Sequence, residues 1–291
     1  MNRIVCCAAA AFAAGVALAQ TPIDETRPAG PNDRIEISNV NGSVDVQGWD
    51  RNEVRVSGTL GRNADRFVFE HKDDDTAIKV FVPKSGWMGG SSNIVVQAPA
   101  TNAVRVECIS GSIEVRDMRA DLELNSTSGS VRVSNCAGDV EAESVSGSVQ
   151  IEGDFGDVEA RSNSGSVKVR TVRDEVRASS FSGSVEVEAV APKRVECESH
   201  SGSVAYIGGL APEAKLNAST HSGSVKLRLP ADVSARVRAE TFSGAINNNL
   251  NDAKADRPPH GPGATLNTKF GTGSANIDAS AFSGSVTFTR N

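Results

Sequence analysis

The sequence has 291 residues, with 30 basic against 36 acidic side chains for a net charge of −6, and only 4% of residues are aromatic. A net negative chain attracts neither nucleic acid nor an anionic membrane surface, so neither is expected as a partner. An apolar fraction dominated by Val and Ala makes a thin core, which suits a repeat array better than a domain with one large centre.

Residues 1–19 read as a secretory signal: Arg3 supplies the positive end, an apolar stretch follows, and the small residues Ala17 and Ala19 flank a cut before Gln20. Losing them removes Arg3 alone and leaves 29 − 36 = −7. No later segment approaches the roughly 20 apolar residues that a membrane helix needs, so no membrane span is expected. The protein is expected to be exported, to the periplasm, the cell surface or the medium.

Residues 20–32 read as an N-terminal linker. Residues 33–98 read as a first coil plus a β-hairpin cap. Ile35, Ile37, Asn41-Gly42-Ser43, Val44 and Val46 open the pattern that later repeats. Longer strands follow at 54–60, 66–71 and 76–82, the last two joined through Asp73-Asp74-Asp75.

Residues 99–291 carry a Ser-Gly-Ser-Val repeat, with glycines at Gly111, Gly129, Gly147, Gly165, Gly183, Gly202, Gly223, Gly244 and Gly284. The early steps are 18 residues; later ones are 19, 21, 21 and 40. Seven residues before the glycine every residue is aliphatic, from Val104 and Leu122 to Ile277, and two after it stand only Ile and Val. Polar residues alternate with these columns, so each unit holds two half-buried strands with a turn between them. Glycine suits that turn because it reaches positive φ without steric cost, and serine can bond local backbone.

The pattern predicts an all-β protein: a β-solenoid of short two-stranded coils of about 18–21 residues, closed by an N-terminal β cap. An antiparallel meander with the same turns is the competing topology. In a stacked array, Glu114, Arg132, Gln150, Lys168 and Glu186 would neighbour one another with alternating or neutral charge. A polar, Pro/Gly-rich insertion near 247–263 reads as a projecting loop.

The segment from Ile35 to Val44, the Gly48-Trp49-Asp50 step into a strand, the serial Ser-Gly-Ser-Val units and the closing stretch at 271–277 resemble the DUF4097 family. That family comprises exported bacterial β-strand repeat proteins described as candidate adhesins. The resemblance implies a cell-envelope setting and brings no catalytic residues with it.

The residues themselves point to no catalytic centre, since serines beside glycine recur in every coil with no positioned base. No cofactor and no metal centre are expected. His200 and His221 share one column and should stack on adjacent coils, a pair able to hold a metal or, more plainly, a stack of rings at a corner. Trp87, in a Gly/Ser loop, is a candidate exposed anchor. Cys108, Cys136 and Cys197 are expected as buried, reduced thiols, and the three consecutive aspartates as a solvated turn. The expected function is a structural or adhesin-like binding module of the cell envelope, with an unidentified envelope protein or glycan as partner and exposed β edges available for self-association. The alternatives are a polysaccharide-active enzyme centred on His200 and His221, and a regulatory partner of another exported protein.

Overall fold

The computed structural model describes residues 20–61, 66–81, 90–257 and 262–291, and all its regular structure is β. The proposed signal at 1–19 and Trp87 lie outside the described residues.

The N-terminal strands are β1 (Thr21–Pro28), β2 (Arg34–Asn41), β3 (Val44–Trp49), β4 (Glu53–Leu60), β5 (Arg66–Lys72), β6 (Asp75–Phe81) and β7 (Asn93–Pro99). The regular array runs through β8 (Ala103–Ser110), β9 (Ile113–Arg116), β10 (Leu122–Ser126), β11 (Val131–Ser144), β12 (Val149–Ser162), β13 (Val167–Ser180), β14 (Val185–Ala189), β15 (Arg194–Ser199), β16 (Val204–Gly208), β17 (Lys215–Ser222) and β18 (Val225–Leu229). The C-terminal strands are β19 (Ala235–Ser243), β20 (Ile246–Asn248), β21 (Ala264–Phe270), β22 (Ala275–Ser283) and β23 (Val286–Arg290).

Each coil has two legs, one on either side of the Ser-Gly-Ser corner, and each leg pairs in parallel with the same leg of the next coil. Val131 pairs with Val149 and Val149 with Val167 on one leg; Leu122 pairs with Val140 and Val140 with Val158 on the other. Parallel pairing in register excludes the meander. Like residues therefore sit on like, and the inward columns close into a continuous aliphatic core in which Val131, Val149, Val185 and Val195 are 0% exposed. The outward charges fall as expected: Lys168 bridges Glu186 at 2.6 Å across one coil step.

At the first and last corners Gly42 and Gly284 take the expected positive φ, 111° and 158°, but the corners between them use glycine for another purpose. None from Gly111 to Gly244 lies in the positive-φ region. What they permit is close approach: a Cβ on Gly147 would stand 2.1 Å from the carbonyl oxygen of Gly129, and one on Gly165 2.2 Å from that of Gly147. Beside them runs a ladder of hydroxyls three residues earlier. The Ser144 hydroxyl accepts the Gly147 N–H and donates to the Gly129 carbonyl, and Ser126, Ser162, Ser180 and Ser199 repeat the arrangement.

At both ends the coils are stacked out of chain order. β6 and β7 pair with the outer edges of β2 and β3, whose other edges carry β8 and β9. Antiparallel β5 then covers β6, β4 covers β7, and β1 covers β4. Residues 20–32, expected as a linker, thus contain a cap strand, β1, whose Ile23 packs on the core. At the other end β22 and β23 enter between β17/β18 and β19/β20, and antiparallel β21 closes β19. Covered edges of this kind prevent the row of free backbone groups from templating further strands.

The segment after β20 also departs from expectation. It does not project over residues 249–257: Leu250, Ala253 and Ala255 pack on the core, and the Asn248 amide donates to the Ala253 carbonyl at 2.9 Å. A polar segment can lie down here because its own Asn side chains take up the backbone groups.

Candidate functional site

The residue two before each corner glycine leaves the strand face and points outward beside the corner. In spatial order the column reads Ile109, Thr127, Val145, Asn163, Phe181, His200, His221, Phe282, Phe242. Five of the seven large apolar side chains exposed among the described residues stand in it, with Phe181 55% and Phe242 56% exposed. The corner does not need them, since Thr127 and Asn163 occupy the same position.

At its C-terminal half the column is a stack of rings. Phe181 lies 4.6 Å from His200, His200 4.9 Å from His221, His221 4.6 Å from Phe282, and Phe282 4.6 Å from Phe242, with interplanar angles of 2–9°. The sheet spacing of about 4.8 Å sets that step. Ring faces are consumed by neighbouring rings, so the stack shows its edges to the outside.

His200 and His221 are brought together as their shared column required. Stacking orients them unfavourably for joint metal binding: an imidazole lone pair lies in its ring plane, and these planes are parallel, so an ion held by one nitrogen lies out of reach of the other. Among the described residues no group of three or more His, Cys, Asp or Glu is placed to hold a metal. Asp73 sits in the turn between β5 and β6 with φ of 55°, in the left-handed region that short polar residues tolerate.

Alongside the column runs a groove of about 1440 Å³, extending from Ser38 and Val40 to Phe242 and Thr265. One wall is the column itself. The other is formed by the residues four before each glycine, from Glu107 and Asn125 to Ser280 and Glu240. Most charges on this wall are held by arginines: Glu107 by Arg105 at 2.9 Å, Glu143 by Arg161 at 2.7 Å and Glu240 by Arg238 at 2.7 Å. Glu198, opposite His200, forms no ion pair among the described residues. The groove floor is the hydroxyl ladder, engaged on both sides from Ser126 to Ser199, while the Thr241 hydroxyl at the C-terminal end has no partner among the described residues. Sequence reading isolated the ring column but not the groove. The two polar columns three and four before the glycine carried that signal.

The three cysteines are free and buried. Cys197 lies in the inward column between Ala178 and Ala218. Cys108 takes a serine's place in the ladder, its thiol pointing at the Gly42 carbonyl at 3.7 Å. Burial pushes the Cys108 thiol up to about 11 and the Cys197 thiol to about 12, and raises Cys136.

A family model described as Toastrack DUF4097 matches residues 26–207. No curated protein matches the sequence. Among solved structures, a candidate adhesin from Bacteroides fragilis is 13% identical, with 94% of this chain and 100% of that one covered and a TM-score of 0.46. A candidate lipid-binding protein from Parabacteroides distasonis is 17% identical, with 91% and 96% covered and a TM-score of 0.44. A candidate cell-adhesion protein from Clostridium sporogenes is 13% identical, with 93% and 100% covered and a TM-score of 0.27.

Proposed function

The chain belongs to the Toastrack DUF4097 family, and from that premise we propose that it is an exported, non-catalytic binding module of the cell envelope, adhesin-like in the sense that a rigid β-solenoid presents one long face to a partner. The observation that carries this reading is the exposed apolar column. In a repeat whose other outward columns are polar or charge-paired, five large apolar side chains stand in one line along one groove. Exposed apolar surface gathered in this way marks an interaction face, whereas single exposed residues need no explanation.

No helix among the described residues is long and apolar enough to cross a membrane, and the apolar start of the sequence fits export by a cleaved signal. Rigidity suits the role, because coils locked by hydroxyl and backbone ladders hold the column straight at no entropic cost on binding.

The test is capture from a detergent-solubilised envelope fraction with the purified protein immobilised, next to a Phe181→Ala/Phe282→Ala variant. Both side chains are exposed, so the variant keeps its fold by circular dichroism. Specific capture that the variant loses is the expected result; equal capture by both proteins would remove the groove from the reading, and capture of nothing would remove the binding role.

A further inference from the structure

The groove's two walls differ in chemistry. Opposite four of the five rings, Phe181, His200, His221 and Phe282, the polar wall is reduced to Ser179, Glu198, Ser219 and Ser280, while Glu240 beside Phe242 is held by Arg238. Ser179 and Ser219 flank Glu198 on the adjacent coils. None of the four is held by another side chain among the described residues, whereas the glutamates elsewhere on this wall are held by arginines. In front of the rings, then, stands a short row of free hydroxyls and one free carboxylate.

Resting on the reading of this groove as the binding face, we infer that its occupant is a neutral linear glycan laid along the array, with about one sugar facing each coil. A pyranose ring presents hydroxyls around its edge and C–H groups on its faces, so a chain lying in the groove can set hydroxyls against the wall of Ser and Glu and C–H groups against the wall of Phe and His edges. The coil step of about 4.8 Å is close to the advance of one hexose in an extended chain.

Other occupants fit less well. An acyl chain would leave the hydroxyl wall unpaired against hydrocarbon, which is costly. A peptide strand binds sheets by main-chain bonds to a free edge, and the backbone under this groove is already paired coil to coil. A polyanion meets Glu198 and a chain of net charge −6.

Because the rings offer edges and not faces, no single sugar is clamped. Binding is the sum of many small contacts, and it grows with chain length until the line is filled. From Ile109 to Phe242 there are eight steps, or about 38 Å.

The experiment titrates the purified protein with cello-, chito- and malto-oligosaccharides of increasing length. Ser219→Arg, which fills the groove, and Phe181→Ala/Phe282→Ala are run beside it, and each variant is checked for folding by circular dichroism. For at least one series, Kd should fall about tenfold or more between the disaccharide and chains of about eight units, then level off, and both variants should lose about tenfold at the long end. Affinity complete at the disaccharide, or unchanged in both variants, overturns the inference. A second arm offers phosphatidylethanolamine–phosphatidylglycerol vesicles and envelope proteins. Groove-dependent capture of either, with every oligosaccharide silent, overturns the glycan and leaves the binding face standing; silence in both arms removes both.

Discussion

Ser144 and Gly129 are joined across one coil step: the serine hydroxyl donates to the glycine carbonyl at 2.8 Å while accepting the N–H of Gly147, in its own coil, at 2.8 Å. One buried hydroxyl thus satisfies two backbone groups that the corner would otherwise orphan. Ser144→Ala leaves both unsatisfied and is expected to cost about 2–4 kcal/mol, whereas Ser144→Thr is expected to cost less, about 1–2 kcal/mol, because Thr220 keeps the bond to the Gly202 carbonyl at 2.7 Å but does not take the Gly223 N–H, which goes to the Ser283 carbonyl. Urea denaturation followed by circular dichroism measures both, and an alanine variant as stable as the parent would mean that the ladder carries no stability.

The corner glycines give a sharper contrast. In Gly147→Ala the new methyl meets the backbone oxygen of Gly129 at 2.1 Å, and neither corner can retreat without breaking the ladder. In Gly156→Ala the nearest atom is a side-chain oxygen, Asp139 Oδ1, at 2.9 Å, which can swing aside at the loss of one exposed hydrogen bond from the Asp157 N–H. The first substitution is expected to cost more than about 3 kcal/mol or to abolish soluble expression, and the second about 1 kcal/mol or less. Similar melting temperatures for the two would show that close approach is not what the repeat selects glycine for.

The repeat, its inward columns and its parallel register were legible because identical residues recur at fixed offsets and only in-register stacking buries them all. The order of coils at the ends was not legible. Val237 and Ile277 both offer an aliphatic side chain at the same offset, so hydrophobic pattern cannot tell which coil lies against Leu216; the structure places Ile277 there and Val237 outside it. The 40-residue step between Gly244 and Gly284, which holds β21, was the visible trace of that reordering. Of the candidate site, the ring column could be read by alignment on the glycine. The groove could not, since it depends on the lateral distance between two columns of one leg. Trp87 lies outside the described residues, so its candidacy stands on sequence alone.

The thiols set an alkaline limit. Cys108 and Cys197 are raised from 9.0 to about 11 and about 12, chiefly by burial, so between those values the unfolded chain releases protons that the folded chain keeps. Their contribution to stability is intact below pH 9 and is lost as the pH rises through the folded values. Cys197→Ala restores the alanine of the neighbouring coils and should lower stability less steeply with pH in that window than the parent does. In native buffer at neutral pH all three thiols should react with a disulfide reagent only after unfolding. Prompt labelling of the folded protein, or identical alkaline profiles for parent and variant, would contradict this account.

The coil of β22 and β23 follows β19 and β20 in the chain and yet lies inside them in the array. Deleting residues 271–291 removes β22 and β23, strips the inner neighbour from β19 and opens the edges of β17 and β18. The loss includes Ile277, Val286 and Phe288, each 0–1% exposed, worth about 5–9 kcal/mol of burial before ordering entropy is subtracted. Two opened parallel edges are also templates for another chain. The truncated protein is therefore expected to lose melting temperature by about 10 °C or more and to associate, as light scattering would register. A synthetic peptide of residues 272–291 supplied in trans should fill the slot and reverse both effects, because every bond of β22 and β23 to the array is made to a strand that remains. A truncated chain that stays monomeric with an unchanged melting curve would show that the array is complete without the inserted coil. A truncated chain that associates but ignores the peptide would show that the slot collapses once it is empty.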